Sequence, residues 1–154
     1  MIGVILDSNI YGRIIEEGKD GLALADKIKN DQSLVVHNFV LIRKELRRAP
    51  KVLPIYDRIV AQRQIKETKQ IKDLAQAYFQ EYKRNGGVQG QRRMMNDFKI
   101  VACASILGCD IIYSDDERTL KHPIARKAYE DVNSKRGLRP PYLSSYQTLK
   151  GRYF

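Results

Sequence analysis

The 154-residue chain carries 28 Lys and Arg against 18 Asp and Glu, a formal net charge of +10, with 43% hydrophobic and 30% charged residues. That length suits one domain, 1–154, with a core of its own, and the positive excess serves either solubility or a polyanionic partner, nucleic acid ahead of an anionic membrane. The apolar N-terminal run is too short for a signal peptide and no stretch reaches transmembrane length, so no membrane association is expected and the cytoplasm is the expected compartment.

In chain order, Ile2–Leu6 is a short apolar, β-branched run and reads as a buried parallel strand. Residues 9–17 and 21–30 read as helices, split by Gly18 and Gly21. Leu34–Val36 is a second strand. Phe39–Arg48 is helical, and Pro50 and Pro54 break the segment after it. Ile55–Arg63 and Ile71–Arg84 are two more helices; in the second, Ile71, Leu74, Ala75, Tyr78 and Tyr82 recur at helical spacing and read as core. Asn85–Gly90 is a loop with the composition of a mobile one. Residues 94–107 form an apolar helix ended by Gly108, and Ile111–Tyr113 is a third strand. Residues 123–134 are helical, opened by Pro123 and closed before Gly137. Arg139-Pro140-Pro141 begins an irregular tail with one edge strand near Leu143. Cys103 and Cys109 read as buried thiols, not as a disulfide framework or a zinc site. Strands alternating with helices imply an α/β fold with a central, mostly parallel sheet.

Four acids stand out against this basic background. Asp7 follows the first strand and Asp116 the third, where a parallel α/β sheet opens its ligand crevice. An Asp in that place also caps helices, and both readings stay open. Glu45 shares a helix face with Leu41 and Ile42, a costly place for a carboxylate unless it is paired with a neighbouring base or bound to a metal. Asp97 shares its face with Ile100, Val101 and Ala104; a cap or dipole role competes with a site role there. Gathered in one pocket, such carboxylates repel one another and need protons or cations to coexist. Oxygen ligands without histidine suit Mg²⁺ or Mn²⁺ and disfavour zinc.

The order and context of these residues resemble the PIN-domain ribonucleases, the family that includes VapC-type toxins. The resemblance rests on Asp7-Ser8-Asn9 after an apolar strand, on Glu45 in Leu41-Ile42-Arg43-Lys44-Glu45-Leu46, and on Asn96-Asp97-Phe98 before a helix rich in small residues. Its last block is Ile111-Ile112-Tyr113-Ser114-Asp115-Asp116, and the match spans residues 2–120. The resemblance implies a three-layer α/β/α PIN-like fold and metal-dependent hydrolysis of RNA phosphodiesters. It assigns the catalytic role to Asp7, Glu45, Asp97 and Asp116. It implies Mg²⁺ or Mn²⁺ on the same four, with Asp115 competing with Asp116 for the last place; the spacing from Ser114 favours Asp116. Asn9 and Ser114 are expected to orient the ligating carboxylates. Arg13, Lys44, Arg92 and Arg93 are expected to grip RNA phosphates, and Tyr11 and Tyr113 are candidates for stacking on a base, Tyr113 equally for the core. A homodimer and, for a toxin, a small antitoxin partner are implied. The middle segment, 52–85, is longer than the shortest toxins of this kind need, which leaves an RNA-processing nuclease open. A non-catalytic RNA-binding or ribosome-associated module with the same fold is the alternative. A phosphotransfer domain wants two acids after the first strand, and an Asp-nucleophile phosphatase wants a second Asp where Asn9 stands; both fit less well.

Overall fold

The computed structural model describes residues 1–154. Its centre is β1 (Ile2–Leu6), whose Val4, Ile5 and Leu6 are buried. A strand flanked on both sides and covered on both faces needs a continuous apolar run. β2 (Leu34–Val36) and β5 (Ile111–Tyr113) pair with β1 on either side, and β6 (Tyr142–Ser144) pairs with β5. All four run parallel in the order β2-β1-β5-β6. A separate two-stranded parallel ribbon joins β3 (Asn38–Phe39) to β4 (Gln64–Ile65).

The helices form two groups. α1 (Ser8–Glu16), α2 (Lys19–Asn30), α3 (Val40–Leu46) and α4 (Leu53–Ile59) pack on one another. α5 (Lys69–Arg84), α6 (Gln91–Leu107) and α7 (Pro123–Arg136) form the other group, and α8 (Tyr146–Gly151) follows β6. With the sheet, they make a three-layer α/β/α arrangement around one connected cluster of 41 buried apolar residues.

The α5 stripe is core, as its spacing predicts: Ile71, Leu74, Ala75, Tyr78 and Tyr82 are all buried. Thr68 caps the helix by accepting from Ile71 N–H at 3.2 Å. Gly108, at φ 69°, ends α6 in the left-handed conformation that glycine adopts without strain. Gly21 serves packing instead. A Cβ there would stand 1.8 Å from the Ile14 carbonyl oxygen, so only glycine lets α2 approach α1 so closely. Cys103 and Cys109 are free and buried, and burial pushes both thiols up to about 12.

The structure corrects several expectations. Gly21 lies inside α2, so Gly18 alone parts the first two helices. Asn38 and Phe39 are strand, so α3 begins at Val40. Pro54 does not break a helix; it sits in the first turn of α4, where its missing N–H costs nothing. That helix ends at Ile59, short of Arg63, and Gln64–Ile65 become β4. α6 starts three residues earlier than expected, at Gln91. The loop at 85–90 is tied to α5, with Gly87 N–H donating to Tyr82 O at 2.8 Å and Gln89 N–H to the Tyr82 hydroxyl at 3.1 Å. The tail carries α8 after its edge strand. No helix is long and apolar enough to cross a membrane.

Candidate active site

Asp7 both caps a helix and faces a cluster. Its N–H donates to Tyr113 O at 2.9 Å, joining the ends of β1 and β5. Its extended backbone lets Oδ1 accept from Ser8 N–H at 2.8 Å as the cap of α1. Oδ2 is left for the crevice, where it accepts from Ser114 Oγ at 2.7 Å and Asn9 Nδ2 at 3.1 Å. Cap and site therefore use different oxygens of one carboxylate.

Asp116 stands three residues beyond β5. Its N–H donates to Ser114 Oγ at 3.1 Å, and its Oδ1 accepts from the N–H groups of Arg118 and Thr119, both at 3.0 Å. Its Oδ2 and Asp97 Oδ2 both contact the Thr119 hydroxyl. That hydroxyl has one proton to offer the two carboxylates. Asp97 lies in the second turn of α6, which rules out the cap role. Glu45, in the short α3, accepts from Ser8 Oγ at 2.8 Å. It makes no ion pair with the bases of its own helix; Arg43 pairs instead with Asp57.

The electrostatics tie the four acids together. Burial, first, pushes the Asp97 carboxyl up to about 7; the Thr119 bond opposes this, and the charges of Asp7, Asp116 and Glu45 add to it. Burial also raises Glu45, against the Ser8 bond and with help from Asp7. Asp7 is raised by burial and, less, by Asp116, against its bonds from Ser114, Ser8 and Asn9. Four mutually repelling carboxylates thus line the carboxyl ends of the central strands.

The donor set is all oxygen. Neither histidine joins it: His122 Nδ1 caps α7 and His37 lies beside Gly3. Hard divalent cations suit such donors, and the excess negative charge is what a cation would relieve. No three His, Cys, Asp or Glu side chains are gathered tightly enough to form a ready-made metal shell. The oxygens turn to hydroxyls and amides instead: Ser8 and Ser114 each donate to one of the acids, and Thr119 contacts two.

The other expected residues divide. Asn9 and Ser114 lie in the cluster, with Asn9 Nδ2 also donating to Ser114 Oγ at 3.1 Å. Asp115 points elsewhere, its Oδ2 paired with Arg13 at 2.8 Å and its Oδ1 accepting from Tyr146 N–H at 3.0 Å. Arg13 is thereby engaged. Lys44, Arg92 and Arg93 are exposed, and Arg93 precedes Asp97 by one helical turn. Tyr11 is fully buried against Tyr56, with ring centroids 5.1 Å apart, which removes it as a base-stacking residue. Tyr113 is buried too and belongs to the core.

Three contributors escaped the sequence reading. Ser8 and Thr119 bridge acids, and Lys121, only 5% exposed, donates from Nζ to Ser114 O at 2.9 Å and so braces the loop from behind. The available signal was a hydroxyl one residue after Asp7 and another three residues after Asp116, weak because turns are rich in hydroxyls. A cavity of about 760 Å³ lies at the opposite pole, where Ile2, Ile111 and Tyr142 begin their strands.

No protein-family model matches the sequence, and no curated protein is significantly similar to it. Among solved structures, the chain is similar to one in the crystal structure of VapBC2 from Rickettsia felis bound to a DNA fragment from their promoter. The TM-score is 0.59 at 12% identity, over 94% of this chain and 98% of that one. The likeness is one of fold, and the three-layer α/β/α architecture is PIN-like.

Proposed function

We propose that this chain is a divalent-metal-dependent endoribonuclease. The observation that carries the reading is the gathering of four acids at the carboxyl end of a parallel sheet: Asp97 and Asp116 share the Thr119 hydroxyl, Ser114 links the Asp7 carboxylate to the Asp116 N–H, and Ser8 links Asp7 to Glu45 through its N–H and its hydroxyl. The basic surface, +10 overall, supports a nucleic-acid substrate.

Asp7, Asp97 and Asp116 would hold Mg²⁺ or Mn²⁺, with Glu45 beside them. A divalent ion there would supply Lewis acidity toward a water and offset negative charge on the phosphate. Glu45, less confined than Asp7, orients that water and takes its proton. Ser114 and Asn9 fix Asp7, and Thr119 fixes the facing oxygens of Asp97 and Asp116. Lys44, Arg92 and Arg93 hold the RNA backbone from the rim, in positions that carry no sequence preference.

The Rickettsia felis relative in fold is a VapBC2 assembly. By that likeness, a small antitoxin protein is the proposed partner and a toxin role is proposed ahead of RNA processing. A homodimer and a cytoplasmic location belong to the same proposal. The test is incubation of the wild-type protein with a mixed pool of single-stranded and hairpin RNA, with EDTA, Mg²⁺ or Mn²⁺. Cutting only with metal supports the reading. Tight RNA binding without cutting under every condition turns it toward a non-catalytic RNA-binding or ribosome-associated module.

A further inference from the structure

The residue next to Asp116 is held by a different set of contacts. Asp115 receives Arg13 Nη1 on one oxygen at 2.8 Å and Tyr146 N–H on the other at 3.0 Å, and its own N–H donates to Asn9 Oδ1 at 3.0 Å. The Arg13 guanidinium stacks 4.8 Å from the centre of the Tyr146 ring. Tyr146 is fully buried; its hydroxyl donates to Glu17, which also accepts from Lys150 Nζ at 3.0 Å. Both ends of this network lie outside the acidic cluster, on α1 and α8. Its middle, Asn9, lies inside, donating to Asp7 and to Ser114.

We infer that Asp115, Arg13 and Tyr146 form a clamp that positions the Ser114–Asp116 loop against Asp7 and Asp97, and that Asp115 and Arg13 touch neither metal nor RNA. The catalytic part of this rests on the nuclease reading; the clamp itself does not. With both Asp115 oxygens occupied, the chain direction through residues 114–116 is set. Ser114 Oγ is then aimed at Asp7 and the Asp116 carboxylate at Thr119. The clamp also explains α8, which carries the N–H that holds the loop from the far side. Two expectations change in consequence. Asp115 passes from metal ligand to positioning residue, and Arg13 passes from phosphate grip to the same role.

The test uses the full chain with Arg13→Ala, Arg13→Lys, Asp115→Asn and Asp116→Asn. The first readout needs no activity: amide hydrogen exchange of the metal-free protein. In Arg13→Ala the amides of Asp115 and Asp116 are expected to exchange about tenfold faster while those of β1 do not change, a local opening and not a global one. The second readout is Mn²⁺ affinity, followed by its electron paramagnetic resonance. Asp115→Asn, which retains one of the two acceptor oxygens, is expected to weaken Mn²⁺ binding by about threefold through the loosened loop, whereas Asp116→Asn loses about tenfold or more. On RNA, Arg13→Ala lowers kcat by about tenfold with KM little changed, and Arg13→Lys, which keeps charge but not the planar stack, recovers part of it.

Unchanged exchange at Asp115 and Asp116 in Arg13→Ala overturns the clamp. So does an Asp115→Asn protein as impaired in Mn²⁺ binding as Asp116→Asn, which makes Asp115 a ligand, or an Arg13→Ala protein with raised KM and unchanged kcat, which makes Arg13 a substrate grip. A wild-type protein that cuts no RNA refutes the nuclease reading and leaves the exchange result to decide the clamp.

Discussion

Replacing Asp97 with Asn removes one charge from the cluster and keeps the side-chain volume and an oxygen for Thr119. The Asp97 carboxyl is raised from 3.8 to about 7, chiefly by burial and then by the three neighbouring acids. A rise of that size corresponds to a penalty of about 4 kcal/mol on the ionised form. Between those two pH values the unfolded chain has lost its proton and the folded chain keeps it. Stability therefore falls as pH rises through that window, and the full penalty stands above about pH 7. Asp7, Asp116 and Glu45 share the repulsion and adjust when one partner is neutral, so the measurable part is about 1–3 kcal/mol. Urea denaturation in EDTA reads it directly. At about pH 8 the Asp97→Asn protein is expected to be the more stable by that amount, and at about pH 4 the difference should shrink to near zero. Mg²⁺ should then stabilise the wild type more than the variant. An Asp97→Asn protein less stable than wild type in EDTA at high pH, or a difference that ignores pH, refutes the picture of a strained acidic cluster.

Other outcomes rest on the same structure. Thr119→Val keeps the shape and removes the hydroxyl between Asp97 and Asp116; Mn²⁺ affinity is expected to fall about tenfold, read by titration, with the folded state retained. Arg93→Ala should weaken RNA binding and reduce the slope of log K against log salt by about 0.7, as for one lost phosphate contact on a single strand. Gly21→Ala forces a Cβ against the Ile14 carbonyl, and a loss of about 3 kcal/mol or more is expected from the denaturation midpoint. Asp31 is lowered to about 2 by its bonds from Ser33 and then Tyr153. Its folded-state pKa is depressed, so its contribution to stability is present above about pH 4 and lost as pH falls toward 2; Tyr153→Phe should flatten that part of the thermal-stability profile.

The sheet was legible because three of its strands are apolar runs that stand apart from their surroundings: Ile2–Leu6, Leu34–Val36 and Ile111–Tyr113. β3 and β4 were not, since two residues carry no periodicity and their pairing is a tertiary event. Pro54 misled because proline breaks a helix interior but opens a helix equally well, and only the fold decides which. The first turn of α6 was missed because Gln91, Arg92 and Arg93 face solvent and give no apolar signal. α8 was hidden behind Pro140 and Pro141, although Ser145, which accepts from Thr148 N–H, is an ordinary cap residue. At the candidate site the carboxylates were readable from their place after strands or on apolar helix faces. The roles of Ser8 and Thr119 depend on contacts to Glu45 and Asp97 across 37 and 22 residues, and the turning of Asp115 toward Arg13 on one across 102, so they leave at most a faint local mark.

The most direct measurement is cleavage of a mixed RNA pool by wild type and Asp97→Asn, side by side, with Mg²⁺, Mn²⁺ or EDTA, after both proteins are shown to be folded. A metal-dependent nuclease built on this acidic cluster cuts as wild type and stops cutting as Asp97→Asn, with RNA binding kept. Equal cutting by both proteins, or cutting that persists in EDTA, would contradict it.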